Sequence, residues 1–243
     1  MQPLICRLIK QVAYEAIRAT GELAPHLPEM RHAPVLLDNS TYSPWLSDSY
    51  FQIASERVWG YTPRDQLRCY ELWSLVQQSK KLGGGALVEV GNWRGDTGCL
   101  IAQAAAHFGI PDRVYLCDRF ERMAKAELGD ASQLTGKLLL DDLVARLRLD
   151  NVEVVPGLFP DTASLRITEP AFRFVHIGVD VYQSGKDSLE YLWPRLVSGG
   201  IVVFDHYGTY GFESLTLLVN ELAPLSDRVF VHNLNGHGVF IKR

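Results

Sequence analysis

Five short apolar runs that alternate with helical stretches constrain the fold of this chain more than any other feature. ALVEV (86–90), RVYLCD (113–118), NVEVVPG (151–157), RFVHIGVD (173–180) and IVVFDHY (201–207) have the length and apolar content of buried strands. Helical spacing fills the intervals at 64–81, about 95–108, 134–148, about 187–196 and 212–223, with a glycine turn at Gly199 and Gly200 before the fifth strand. Strands that alternate with helices build a mainly parallel sheet with right-handed crossovers. The last stretch breaks the pattern. RVFVHNL and GVFIKR are joined by a turn carrying Asn235-Gly236, which signals an antiparallel β-hairpin. The expected fold is therefore α/β, a doubly wound, mainly parallel sheet that ends in an antiparallel hairpin.

The N-terminal quarter reads differently. Leu4, Ile5, Leu8, Ile9, Val12, Ala13 and Ile17 have helical spacing, which suits packing on the main domain or on a second copy in a homodimer. From about 23 to 62 the chain is rich in Pro, Ser, Tyr and Trp with little periodicity, as in a lid or a surface wrap. The domain reading is thus an N-terminal helix and cap over 1–63 and a ligand-binding domain over 64–243. A formal net charge of -4 and the lack of any Lys/Arg run argue against nucleic acid as a partner. No run approaches the roughly 20 apolar residues needed to span a bilayer, and the first residues lack a secretory signal's long apolar core. The cysteines Cys6, Cys69, Cys99 and Cys117 form no CxxC pair, which fits a reducing compartment. A soluble, cytoplasmic protein is expected.

The segment VEVGNWRGDTG (88–98) carries the most chemistry. It follows a strand and opens a helix, where an open α/β sheet places its ligand. Gly91 permits a tight turn with close backbone approach, and Gly95 and Gly98 let the helix begin near that ligand. The spacing G-x-x-x-G-x-x-G departs from the dinucleotide fingerprint. Glu89 adds a carboxylate that a pyrophosphate would find repulsive and the amino group of S-adenosylmethionine would find favourable. Asp118, closing the second strand, suits the two hydroxyls of a ribose, whether of S-adenosylmethionine or of NAD. Trp93 and Arg94, inside the turn, suit covering an adenosyl group or packing in the core. A parallel sheet closed by a hairpin is also the pattern of class I, Rossmann-like methyltransferases.

VEVGNWRGDTG, CDRFE (117–121), VEVVPGLFPDT (152–162), HIGVDVYQS (176–184) and SGGIVVFDHYG (198–208) together resemble the macrocin O-methyltransferase family, in order and in spacing, from about Tyr70 to Phe212. The resemblance implies S-adenosylmethionine as cofactor and a hydroxyl on a sugar or other small natural product as methyl acceptor. Gly157 and Phe159 join Glu89, Gly91, Trp93, Arg94, Gly95 and Asp118 as expected cofactor-binding residues. It also implies a divalent metal, usually magnesium, held by carboxylates after the fourth and fifth strands, in motifs close to D-x-D-x-Y and D-D-Y. This chain has Gly178-Val179-Asp180-Val181-Tyr182 and Asp205-His206-Tyr207. Two acidic positions of the family are thus Gly178 and His206. Magnesium prefers hard oxygen ligands, so Asp180, Asp205 and His206 make a better set for Zn²⁺ or Mn²⁺.

Methyl transfer to a hydroxyl needs a place for the proton, supplied by a metal or by a general base. The catalytic candidates are His206 as base, Asp205 orienting it, and Asp180 accepting from the acceptor hydroxyl. A histidine or aspartate at a strand end also serves structure alone. His176 reads as structural, and His232 and His237, flanking the hairpin turn, read as solvated. Two rival readings stay open: a methyltransferase fold kept as a binding or scaffold protein, and a nucleotide-dependent oxidoreductase.

Overall fold

The computed structural model describes residues 44–59, 66–91, 95–120 and 133–243. The chain divides into two units, Met1–Ser43 and Pro44–Arg243, and every described residue belongs to the second. The helix expected over residues 1–22 and the cofactor-turn residues Trp93 and Arg94 lie outside the described residues.

Seven strands form one sheet: β1 Ala86–Val90, β2 Val114–Asp118, β3 Val152–Pro156, β4 Phe172–Ile177, β5 Leu196–Phe204, β6 Arg228–His232 and β7 Gly238–Lys242. Their order is β3-β2-β1-β4-β5-β7-β6. Pairs from β3 to β5 are parallel, and β7 runs antiparallel to both β5 and β6. The alternation of apolar runs and the Asn235-Gly236 turn therefore give the expected doubly wound sheet with its terminal hairpin. Gly236 occupies the left-handed region that such a turn demands, at φ 91°.

Helices cover both faces. They are α1 Ser49–Trp59, α2 Gln66–Ser79, α3 Asp96–His107, α4 Gln133–Leu147, α5 Tyr182–Leu192 and α6 Glu213–Leu222. The period-two alternation of the strands divides the core. Leu87, Leu116, Phe174, Ile201 and Val203 face the cluster that α1, α2, α3 and α4 cover. Val88, Val90, Cys117, Val175, Ile177 and Phe204 face the cluster under α5 and α6. None of the described helices is long and apolar enough to cross a membrane.

Three elements differ from the sequence reading. The stretch 49–59, read as irregular, is helix α1: Phe51, Ala54, Ser55 and Val58 recur at helical spacing and are buried. Asp48 starts that helix, its Oδ1 accepting from the Phe51 amide at 2.9 Å while Oδ2 accepts from the Trp73 indole at 3.1 Å. Helix α5 begins at Tyr182 rather than near 187, because Gly185, Ser188, Leu189 and Leu192 line its buried face behind a polar sequence. Strand β5 begins at Leu196, and Gly199 and Gly200 lie inside it. A register shift opposite Phe172 and Phe174 absorbs the positive φ of Gly199, 77°.

The Phe51 ring packs edge-on to Tyr70 and Trp73, with centroids 5.0 and 5.8 Å away. Phe51→Ala is expected to cost about 3–5 kcal/mol in urea unfolding. A loss under about 1 kcal/mol would show that α1 is not part of this core.

Candidate active site

In an open α/β sheet the ligand crevice lies beyond the carboxyl ends of the strands, where the strand order reverses. Here that point is between β1 and β4, and the residues at its lips are Gly91 and Gly178. Their backbones are in contact. A side chain at Gly91, φ 85°, would bring Cβ to 2.9 Å from the Gly178 carbonyl, and one at Gly178 would bring Cβ to 2.9 Å from the Gly91 oxygen. Hydrogen bonds continue the ladder past the strand ends: the amides of Gly91, Gly178, Asp205 and Gly157 donate to Cys117, Val90, Ile177 and Asp118 at 2.8–3.0 Å. The backbone pairing of the sheet thereby extends as far as the loops.

The other turn residues fall into place around it. Gly95 caps α3 at φ 81°, and the space a Cβ would need is filled by Leu140. Gly98 lets α3 lie directly on Glu89 and Leu116. Asp118 ends β2 half-exposed, with Oδ1 accepting from the amide of Phe120 at 2.7 Å, and Gly157 follows β3 beside it. Phe159 is different. Its ring is buried in the core, edge-on to Tyr191 at 5.3 Å.

Counting by twos along the strands puts polar groups at the top of one sheet face. Leu87-Glu89-Gly91 on β1, Phe174-His176-Gly178 on β4 and Ile201-Val203-Asp205 on β5 run side by side. Glu89 pairs in register with His176, and His176 with Val203. Glu89 and His176 are buried, with Glu89 Oε1 2.7 Å from His176 Nδ1. Asp205 sits one step higher and receives Arg68 Nη1 from the first turns of α2 at 2.7 Å.

The hairpin closes this arrangement. His237, expected to be solvated, is 1% exposed. Its Nδ1 lies 2.5 Å from Glu71 Oε2, and its Nε2 lies 3.5 Å from Asp205 Oδ1. Glu71 also accepts from the side-chain amides of Asn233 and Asn235. The tight turn folds the loop back under α2, which is why a turn residue becomes a core residue. Burial opposes charge on Asp205, yet the His237 hydrogen bond and the nearby His176 and Arg68 hold its carboxyl well below the usual range. Against the same opposing burial, Glu71 is held low by His237 and the two asparagines, and His237 is held high by Asp205 and Glu71. Arg68, Glu71 and His237 were absent from the sequence-derived site. The sign available in the sequence was the helical spacing of Arg68 and Glu71, one turn apart.

His206 follows Asp205 in the left-handed region, φ 62°, which is uncommon for a residue with a side chain. Its ring stacks on Phe212, with centroids 4.0 Å apart and planes 11° apart, and its side chain is 25% exposed. Nε2 stands 3.6 Å from Asp205 Oδ2. Burial, against the pull of Asp205, lowers the imidazole below its ordinary value. Asp180 stands half-exposed in the loop before α5, where its carbonyl accepts from Ser214 Oγ at 3.1 Å. Of the ligand set read from the sequence, His206 Nε2 stands 3.6 Å from Asp205 Oδ2, and the charge of Asp180 reaches the His206 ring. Among the described residues, the metal-ligating types that converge are His176, Asp205 and His237, with one donor atom of each within 4.8 Å of the others.

A seven-stranded sheet of this order, closed by an antiparallel hairpin and carrying a glycine turn at its switch point, defines the class I methyltransferase fold. Two solved structures share it: the O-methyltransferase NovP (21% identity, TM-score 0.56, covering 72% of this chain and 79% of that one) and TomG, an O-methyltransferase from Streptomyces achromogenes in complex with SAM (14% identity, TM-score 0.56, covering 80% and 88%). The family model for macrocin O-methyltransferase (TylF) matches residues 68–217, and the chain belongs to that family. It is also 32% identical over 174 residues to the 8-demethyl-8-(2,3-dimethoxy-alpha-L-rhamnosyl)-tetracenomycin-C 4'-O-methyltransferase of Streptomyces olivaceus. That match covers 64% of this chain and 65% of the relative, so the chain spans about two thirds of that protein's length.

A methyl group at position 91 meets both a positive φ and the Gly178 backbone. Gly91→Ala is expected to cost at least about 1–3 kcal/mol, read as a lowered midpoint in chemical denaturation. An unchanged midpoint would mean that the two lips are not in contact.

Proposed function

We propose that this protein is an S-adenosylmethionine-dependent O-methyltransferase acting on a hydroxyl of a sugar or glycosylated small metabolite. The observation that carries the reading is the juxtaposition of the Gly91 turn, at the switch point, with the Asp205-His206 corner one strand away. The first is a cofactor cradle, and the second holds a strained, partly exposed imidazole on the same crest. The rhamnosyl-tetracenomycin relative supplies the acceptor class, and the SAM bound to TomG supports the donor.

The expected cofactor contacts are divided along the crest. The backbone at Gly91 and Gly95 approaches the ligand, and Asp118 is placed for the ribose hydroxyls. Trp93 and Arg94 flank the same turn in sequence, and Gly157 closes the side next to Asp118. Glu89 acts through the electrostatics of its buried carboxylate, and Phe159 shapes the wall from the core rather than lying in the crevice. Bound there, S-adenosylmethionine supplies an electrophilic methyl carbon. The protein's task is to hold the acceptor oxygen in line with that carbon and to take its proton. His206 takes the proton, Phe212 fixes the plane of its ring, and the Asp205 carboxylate stabilises the imidazolium that forms. Asp180, whose charge reaches His206, orients the acceptor hydroxyl. A divalent metal on Asp180, Asp205 and His206 would instead lower the pKa of the acceptor hydroxyl directly.

Calorimetry of the purified protein with S-adenosylmethionine, S-adenosylhomocysteine and NAD is the first test. Binding of the two adenosyl ligands in the range of about 1 μM to 1 mM, with none for NAD, is expected. Failure of all three to bind folded protein would remove the enzyme reading and favour a scaffold. Turnover follows by mass shift, with trideuteromethyl donor and a panel of rhamnosides. His206→Asn is expected to lower kcat by roughly 10²- to 10⁴-fold while S-adenosylmethionine affinity is retained. Full activity in that variant would remove His206 as the base.

A further inference from the structure

Two buried histidines above the sheet take no part in the proposed methyl transfer. His176 and His237 each have one ring nitrogen bound by a glutamate: Glu89 Oε1 at 2.7 Å from Nδ1 of His176, and Glu71 Oε2 at 2.5 Å from Nδ1 of His237. In each ring Nε2 is the nitrogen not held by a glutamate. His176 Nε2 is buried, in a residue 2% exposed, and has no hydrogen-bond partner. His237 Nε2 is 3.5 Å from Asp205 Oδ1, and one donor atom each of His176, Asp205 and His237 lies within 4.8 Å of the other two.

We propose that His176, Asp205 and His237 form a binding site for a transition-metal dication of the Zn²⁺ type, which shares only Asp205 with the acidic positions of the family motif. Two imidazoles and one carboxylate are a ligand set suited to zinc and poorly suited to magnesium. Tetrahedral zinc, with bonds of about 2.0–2.2 Å, places its ligand atoms roughly 3.3 Å apart. The 3.5 Å between His237 Nε2 and Asp205 Oδ1 is close to that edge, and the other separations, within 4.8 Å, would shorten on binding.

The surroundings match what a metal-binding histidine requires. A carboxylate on the remote nitrogen of each ring fixes its orientation and raises its basicity, as outer-shell partners of zinc histidines do. The Glu71 oxygens are in turn held by Asn233 and Asn235. Arg68 and the His206 amide both donate to Asp205 Oδ1, at 2.7 and 2.9 Å, and so fix the carboxylate whose Oδ1 stands 3.5 Å from His237 Nε2. Three protein ligands leave a fourth position open, the arrangement of reactive rather than purely structural zinc sites.

This inference is independent of the methyl-transfer reading, because the metal is followed without cofactor or acceptor. The full chain is stripped with EDTA, dialysed and titrated with Co²⁺, whose visible absorption reports tetrahedral coordination, and with Zn²⁺ by calorimetry. A single tight equivalent with the tetrahedral Co²⁺ spectrum is expected. Glu71→Gln should weaken Zn²⁺ binding about 10- to 100-fold, and His237→Gln at least as much. Asp180→Asn should leave it within about twofold. Folding of each variant is checked by circular dichroism, and binding is compared among variants that keep the wild-type spectrum. Absence of binding to folded wild-type protein would overturn the site and leave the cluster as an ion-paired fastening. Binding that survives His237→Gln, or that is lost in Asp180→Asn, would place the ion elsewhere and overturn it equally.

Discussion

The carboxylate of Glu71 is where three separate parts of the chain are tied together, and the crest of the sheet depends on it. It stands on α2, accepts from Asn233 and Asn235 in the hairpin loop, and holds the His237 ring. His237 reaches Asp205 at the end of β5, and Arg68 reaches the same carboxylate from one turn earlier on α2. Buried charges are expensive unless their partners are complete, so each member is stable only while the others are present. Removing one partner leaves an uncompensated charge beside the corner that carries His206. The hairpin that distinguishes this sheet from other doubly wound sheets is therefore also what completes its polar crest.

The fold was legible because its signals are local. Apolar runs of strand length, helical spacing between them and an Asn-Gly turn dictated the sheet and its closing hairpin. Helix α1 was missed because its aromatic and polar residues masked the spacing of Phe51, Ala54 and Val58. The start of α5 was hidden by the polar run 183–188, whose buried positions are small. In β5, glycines that read as a turn are absorbed by a register shift that only pairing with β4 reveals.

The candidate site was legible in part. Gly91, Gly95, Asp118, Asp205 and His206 sit on the crest because each follows a strand or opens a helix. Arg68 and Glu71 come from a helix whose docking on the crest no local motif announces. His237 lies in a hairpin turn, where solvent exposure is the ordinary expectation, and only the tertiary fold buries it. His176 was nearer to view. Its place two residues before Gly178, beside Glu89 two residues before Gly91, puts the two on one face once β1 and β4 are known to be neighbours. What could not be read was the convergence, since it requires the strand order as well as the strands.

The touching backbones of Gly91 and Gly178 also bear on which side chains position 178 can carry. At position 178 the family motif has an aspartate, and here the Gly91 oxygen occupies the room its Cβ would need. An aspartate there would require the opposite loop to withdraw, so the residue tolerated at 178 and the path of the turn at 91 are set together. The two lips behave as one mechanical unit, and a side chain added to either is felt at the other.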